Sequence, residues 1–263
     1  MMSTRGYTTI PYPHIRKATV DLLTAAKRKN MIHSLVEADI TRARSLLRQA
    51  KRKHNGYYSF TGYIIRCVAE AVVQNKMVHA YRDMRGRLVL FDDVDVSTTV
   101  ERKVGGRNEV VAKVVREANG KSVREISEEI ETEKSTSVEG AEVFRFIRAY
   151  LLIPPFVRRL LFRFFDRSPQ SMKRRAGTVL VTSVLTVGSG AGWGIPIASH
   201  TVNVTVGGIV TRPVESGGGI ERKEHLCLTV SFDHDIVDGS PAARFTKALV
   251  DIIESGEVLN GKR

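Results

Sequence analysis

The stretch that decides the fold is LCLTVSFDHDIVDGSPAARF, residues 226–245. Apolar residues alternate with small polar ones over Leu226–Phe232, which predicts a β-strand. Asp238-Gly239 is a turn signal, because glycine takes positive φ without strain. Helical spacing of apolar residues then runs over Pro241–Ser255. The stretch therefore predicts a strand, a turn and a helix, with His234 just beyond the strand.

His234 has the side chain and the position of a general base. An imidazole has a pKa of about 6.5, close to physiological pH, and one ring nitrogen can be held by a partner while the other accepts a proton. Asp238 supplies a carboxylate four residues later. A structural histidine beside an aspartate in an Asx-type turn explains an isolated HxxxDG pattern equally well. The pattern alone leaves both interpretations open.

The rest of the chain alternates helical and strand patterns. Ser122 and Glu125 form a capping box, which predicts an exposed helix reaching about residue 134. We see neither an internal repeat nor a long linker, so we predict one mixed α/β domain over residues 1–263. The other predicted helices span 15–28, 40–53 and 61–74, and the other strands span 32–37, 88–100, 109–116, 177–187 and 201–206.

Residues 143–165, VFRFIRAYLLIPPFVRRLLFRFF, mix aromatic residues with arginines. Pro154-Pro155 must break any helix there, so we predict two short basic amphipathic helices. Such an insertion could line a channel for an acyl chain, lie on an anionic membrane surface or cover an oligomer interface. The sequence does not choose among these roles.

Composition excludes several classes of protein. The chain has 41 Lys plus Arg and 28 Asp plus Glu, a net charge of +13, so its surface attracts anions. It lacks the modules that bind nucleic acid, and its two cysteines do not form a disulfide framework. No signal peptide or membrane-spanning run is evident, which predicts a cytoplasmic protein. No ligand pattern for a metal is evident.

Three segments carry a resemblance to a known family. Residues 231–245, SFDHDIVDGSPAARF, resemble the active-site segment of the dihydrolipoyl acyltransferase catalytic domain of 2-oxo acid dehydrogenase complexes. Residues 14–41 resemble its first helix and strand, and residues 61–81 its buried helix. The resemblance implies a two-layer sandwich like that of chloramphenicol acetyltransferase. It also implies a homotrimer, or a larger assembly of trimers, with active sites between neighbouring subunits.

The resemblance also implies roles for individual residues. His234 would deprotonate a thiol of coenzyme A or dihydrolipoamide, with acyl-coenzyme A as the cosubstrate. Ser183, in GTVLVTSV (residues 177–184), would hydrogen-bond the oxyanion. Aligning this strand needs a slip of one residue, so Thr182 is the alternative. Asp238 and Gly239 would shape the turn.

By the same resemblance, Arg16 in the N-terminal helix would pair with the aspartate of the turn. We expect no lipoyl domain and no peripheral-subunit-binding domain in this chain. A separate lipoyl protein would then carry the acyl group, or acyl-coenzyme A would serve with another acceptor. Two rival hypotheses remain: an HxxxDG acyltransferase with a non-thiol acceptor, and a non-catalytic trimeric scaffold or membrane-surface module.

Other candidates receive structural interpretations. His79, His200 and His225 are scattered and are predicted to be surface histidines. The glycine-rich residues 187–196 lack the Lys-Ser or Lys-Thr of a phosphate-binding loop and precede a predicted strand. We expect them to form an active-site loop that carries Trp193.

Overall fold

The computed structural model describes residues 2–4, 6–12, 14–54, 57–104, 107–135, 149–184 and 190–259. The strands are β1 (Met2–Thr4), β2 (Tyr7–Thr9), β3 (Met31–Asp39), β4 (Tyr81–Arg82), β5 (Leu88–Val89), β6 (Val96–Val104), β7 (Arg107–Val115), β8 (Val179–Ser183), β9 (Val202–Ser216) and β10 (Gly219–Asp233). The helices are α1 (His14–Ala26), α2 (Thr41–His54), α3 (Phe60–Gln74), α4 (Val123–Ser135), α5 (Pro155–Asp166), α6 (Pro169–Ala176) and α7 (Gly239–Ser255), with short 3-10 helices at Lys76–His79, Ala118–Gly120 and Glu257–Leu259.

A six-stranded mixed sheet organises the chain, in the order β3-β10-β9-β8-β6-β7. The neighbours of β8 on both sides run parallel to it, and the other pairs are antiparallel. β9 and β10 form a hairpin of 15 residues on each side. The strand predicted at 226–232 is therefore the inner half of a longer one.

α3 lies at the centre of the core and is buried along most of its length, as predicted. The Ser59 side chain caps it by accepting from the Gly62 N–H at 2.9 Å. A Cβ at Gly62 would lie 2.3 Å from Ser127 Oγ of α4, so the absence of a side chain lets these helices approach. The predicted exposure of α4 is wrong for one face, because Ile126 and Ile130 are buried there.

The other face of the sheet is less completely covered. Residues alternate between faces along a strand, so Ser97 and Thr99 project away from the α3 side. α1 and α6 line a cavity of about 410 Å³ with them. Further along the same face, Leu35 is 51% exposed and Val110 is 70% exposed. A partly open apolar face is thus left on one chain.

Two other predictions on local structure can be checked. The capping box forms, since the Ser122 N–H and hydroxyl both donate to Glu125 Oε2 at 2.7 Å. The strand predicted over 88–100 is wrong, because β5 pairs with β4 in a separate hairpin and only β6 joins the main sheet. The Gly105-Gly106 turn lies outside the described residues.

The insertion is held against α1 by a buried ion pair. Arg158 of α5 donates to Asp21 Oδ2 at 2.8 Å, and the side chains of both are 8% exposed. The Tyr150 hydroxyl donates to the same oxygen at 3.0 Å, and the Arg158 guanidinium also reaches the Ile153 carbonyl. A helical segment at 149–152 and α5 flank Pro154, as predicted, while residues 143–148 lie outside the described residues.

Candidate active site

Backbone hydrogen bonds hold His234 at the end of β10. Its N–H donates to the Asn30 carbonyl at 2.7 Å, and the Asp233 N–H donates to the Thr201 carbonyl at 2.9 Å. The Val237 N–H closes the turn onto the Asp233 carbonyl at 2.9 Å. The segment before β3 and the start of β9 therefore both fix the strand end from which His234 projects.

The His234 ring faces the carboxylate predicted to accompany it. His234 Nδ1 lies 3.9 Å from Asp238 Oδ1, within ion-pair range but beyond a hydrogen bond. The two side chains are 46% and 86% exposed. Asp238 precedes Gly239, the first residue of α7, and its carbonyl accepts from the Ala242 N–H at 3.1 Å. With Nδ1 facing Asp238, Nε2 is the nitrogen on the far edge of the ring.

A buried ion pair beneath this turn was not predicted. Lys29 Nζ lies 2.8 Å from Asp233 Oδ2, and their side chains are 12% and 5% exposed. The Asn30 side-chain amide donates to Asp235 Oδ1 at 2.8 Å. Two adjacent residues of the loop before β3 thus hold the two residues that flank His234.

Ser183 does not meet His234 within one chain. Ser183 is paired with Val206, and Val206 with Leu228, in the sheet register. His234 lies six residues beyond Leu228 and two strands away from β8, which places the two side chains roughly 20 Å apart. Thr182, the alternative donor, is one residue closer and is equally unable to reach His234.

Arg16 is not brought to the aspartate of the turn. Arg16 is exposed on α1. Among the ion pairs of the described residues, none joins Arg16 to Asp238. A single chain therefore lacks the predicted contact, and the role of Arg16 stays a prediction.

His79 and His200 are not surface residues, contrary to prediction. They are 0% and 3% exposed. His200 Nε2 donates to the Ala176 carbonyl at 2.8 Å, and burial lowers the pKa of this imidazole to about 4. Burial likewise lowers the pKa of His79 to about 4. Both are neutral structural histidines, and His200 directly precedes Thr201, which anchors the His234 turn.

The described residues contain neither a metal-binding cluster nor a membrane-spanning helix. No three His, Cys, Asp or Glu side chains among them come together as a metal site would need. No helix in this part of the chain combines the length and apolar character needed to cross a membrane.

Comparison of the sequence with known families gives a match over most of the chain. Residues 4–141 and 166–260 match the 2-oxoacid dehydrogenases acyltransferase (catalytic domain) family. The chain belongs to this family. The family resemblance stated from residues 231–245 is thereby confirmed. The two matched ranges leave out residues 142–165.

The acetyltransferase component of the Corynebacterium glutamicum pyruvate dehydrogenase complex is 23% identical over 246 residues. The alignment covers 90% of this chain and 31% of that protein. Two Mycoplasma relatives bearing the same description are covered over 44% and 58% of their lengths. The chain thus spans 31% to 58% of the length of these three relatives.

Several solved structures share the fold of this chain. A probable dihydrolipoamide acetyltransferase from Listeria monocytogenes superposes with a TM-score of 0.70, at 20% identity and 96% coverage of both chains. The Azotobacter vinelandii dihydrolipoamide acetyltransferase gives 0.69 at 17% identity, covering 97% and 94%. Chloramphenicol acetyltransferase gives 0.50 at 12% identity, covering 92% and 96%. The predicted mixed α/β fold is confirmed.

Proposed function

We propose that this protein is an acyltransferase that moves an acyl group between coenzyme A and a thiol such as dihydrolipoamide, with His234 as general base. The observation that carries the proposal is the exposed His234 ring on a hydrogen-bonded strand end, with Nδ1 directed at Asp238. This arrangement places Nδ1 within ion-pair range of a carboxylate and leaves Nε2 to exchange protons with a substrate.

The proposed reaction is a direct transfer. His234 Nε2 takes the thiol proton, and the thiolate attacks the thioester carbonyl carbon to form a new C–S bond. The carbonyl becomes a tetrahedral oxyanion that accepts a hydrogen bond from Ser183. The oxyanion then collapses, the original C–S bond breaks, and the leaving thiolate regains the proton from His234. Each step uses groups already present in the protein or the two substrates.

Two chains are needed to assemble this site. Ser183 and His234 lie roughly 20 Å apart in one chain, as the strand register requires. We propose that Ser183 acts on a substrate held by His234 of a neighbouring copy in a homotrimer. The open sheet face with Leu35 and Val110 supports contact with another copy. Light scattering should give three times the chain mass or a multiple of that mass, and a stable monomer would contradict the proposal.

A basic pocket fits the phosphates of coenzyme A at the Ser183 end. Arg48 and Lys51 of α2 line a cavity of about 290 Å³ together with Phe60. Phe60 also lines the small cleft that Ser183 borders. Arginine and lysine side chains bind phosphate through charge-assisted hydrogen bonds. A phosphate-bearing substrate could therefore extend from this pocket toward Ser183, with any lipoyl group supplied by a separate protein.

The acyl transfer is tested with purified protein, acetyl-coenzyme A and dihydrolipoamide. We expect thioester formation, and we expect His234→Ala to lower the rate at least 100-fold because general-base assistance is lost. His225→Ala serves as a histidine control away from the turn and should retain activity. Equal rates in wild type and His234→Ala would refute the mechanism. Transfer only to an alcohol or amine would identify a non-thiol acceptor.

The insertion supports a second proposal, contact with an anionic membrane surface. On α5, Phe156, Leu160 and Phe164 are 71%, 63% and 55% exposed and recur every four residues. This is the spacing of one helical face. The chain carries a net charge of +13, which complements acidic lipid headgroups. An apolar stripe on a basic protein is the combination that interfacial helices use.

Vesicle flotation tests this contact. We expect binding to vesicles of phosphatidylcholine with phosphatidylserine and weaker binding to phosphatidylcholine alone. Phe156→Ser with Leu160→Ser should abolish it, whereas Ile220→Ser, at a position 79% exposed on the β9–β10 hairpin, should not. Equal flotation of the α5 variant and wild type would refute the contact.

A further inference from the structure

A second basic pocket lies beside the His234 turn. Its volume is about 420 Å³, and Asp235, the residue after His234, forms part of its wall. We call it the arginine pocket. The charged residues that line it are Arg28, Lys29, Arg82, Asp83, Arg167 and Asp235.

Two of the six charges of the arginine pocket are balanced by ion pairs, but those of its three arginines are not. Lys29 is neutralised by the buried Asp233. Asp83 is paired with Arg87, which does not line the pocket. In contrast, Arg28, Arg82 and Arg167 form no ion pair with any residue that the structure describes. Three arginines without a carboxylate partner therefore line one cavity.

The three arginines reach the arginine pocket from separate parts of the chain. Arg28 follows α1, Arg82 lies in β4, and Arg167 follows α5. Like charges brought together in this way repel one another unless an anion lies between them. The planar guanidinium group binds carboxylate and phosphate through paired hydrogen bonds. The convergence therefore has the chemistry of a site for an acidic group.

We propose that the arginine pocket binds an acidic group, a carboxylate or a phosphate, carried by the thiol substrate of His234. This inference rests on the proposed acyl transfer and adds a substrate class to it. The pocket adjoins the turn that presents the base, whereas the Arg48 and Lys51 pocket lies at the Ser183 end. The protein then selects an anionic thiol over a neutral one of the same length.

Matched substrate pairs test the selection. Dihydrolipoate and dihydrolipoamide differ only in a carboxylate replaced by an amide, and phosphopantetheine and pantetheine differ only in a phosphate. For at least one pair we expect the anionic thiol to have the higher kcat/KM, by about 10- to 100-fold, the size of a hydrogen bond to a charged group. The pair whose preference is removed by substitution of Arg82 or Arg167 identifies which acidic group the arginine pocket binds.

Variants locate the preference. Arg82→Gln and Arg167→Gln should each bring the ratio of kcat/KM for the preferred pair toward one. Arg222→Gln, at an exposed arginine on β10 that does not line the pocket, should keep the wild-type ratio. A wild-type ratio near one in both pairs, or a ratio equal in wild type and the pocket variants, would overturn the inference.

Calorimetric binding of the same pairs separates this inference from the proposed function. Failure of acyl transfer to every thiol would refute the proposed function but would not refute the binding of an acidic group in the arginine pocket. Tighter binding of an anionic member, weakened at least fivefold by Arg82→Gln and unchanged by Arg222→Gln, would still support the pocket. Equal binding of anionic and neutral members in both pairs would refute it.

Discussion

Acidification should destabilise the protein through the buried His79 and His200, and His200 allows the effect to be calculated. His200 is 3% exposed, and burial lowers its pKa to about 4, below the value of about 6.5 expected in the unfolded chain. Between these values the unfolded state binds more protons than the folded state. Stability from this residue is therefore fully present above pH 6.5 and is lost as pH falls toward 4.

The magnitude follows from the two pKa values. Between pH 7 and pH 5, His200 should remove about 2 kcal/mol from the free energy of unfolding, at about 1.4 kcal/mol per unit of pKa difference. His79, whose pKa is also lowered to about 4 by burial, should contribute a similar loss. The two together should therefore cost about 4 kcal/mol over this range.

Urea unfolding at pH 7, 6 and 5, at one protein concentration, measures this loss. His200→Gln replaces the imidazole by an amide that can still donate to the Ala176 carbonyl and does not titrate. Its loss between pH 7 and 5 should be smaller than that of the wild type by about 2 kcal/mol. His79→Gln should behave similarly, and the double variant should lose both contributions. Identical pH dependence in the wild type and all three variants would refute the reasoning.

Three further substitutions test the fold around the site. Asp21→Asn should destabilise the protein by roughly 3 kcal/mol because Arg158 is left buried without its counter-charge. Limited proteolysis should then cut the insertion first. Unchanged cleavage would contradict the conclusion that this ion pair holds the insertion against α1. Gly207→Ala should lower the melting temperature, since its Cβ would lie 2.1 Å from the Gly192 carbonyl oxygen. An unchanged melting temperature would show that the backbone around Gly192 moves aside without loss of stability. Ser122→Ala should cost about 1 kcal/mol in chemical unfolding through loss of the helix cap; no loss would mean that the capping box adds nothing.

The sequence predicts those elements whose burial follows a simple period. α3 and the inner half of β10 are buried within one domain, so their apolar residues follow the pattern of a buried helix and an alternating strand. The outer half of the β9–β10 hairpin extends beyond the main sheet, where Ile220 and Arg222 are exposed. Without a buried face, alternation is lost, so the predicted strand over 201–206 ends too early and the one over 226–232 begins too late.

The site shows the same division between local and distant information. His234 and Asp238 lie four residues apart, so one short segment of sequence is enough to predict that their side chains are close together. Lys29 lies 204 residues from Asp233 along the chain, and no local pattern indicates that they pair. The arginine pocket brings together four of the 41 Lys and Arg residues from three separate segments. Only the folded structure distinguishes these pocket residues from the other Lys and Arg residues of the chain.

The central claim is that His234 of one chain and Ser183 of another form one active site. Refolding His234→Ala and Ser183→Ala chains together in equal amounts tests it most directly, with each variant refolded alone as control. Random mixing in a trimer gives about one quarter of interfaces a native histidine and a native serine. We predict acyl transfer at about one quarter of the wild-type rate, well above either variant alone. Mixed trimers with no more activity than the separate variants would contradict the claim.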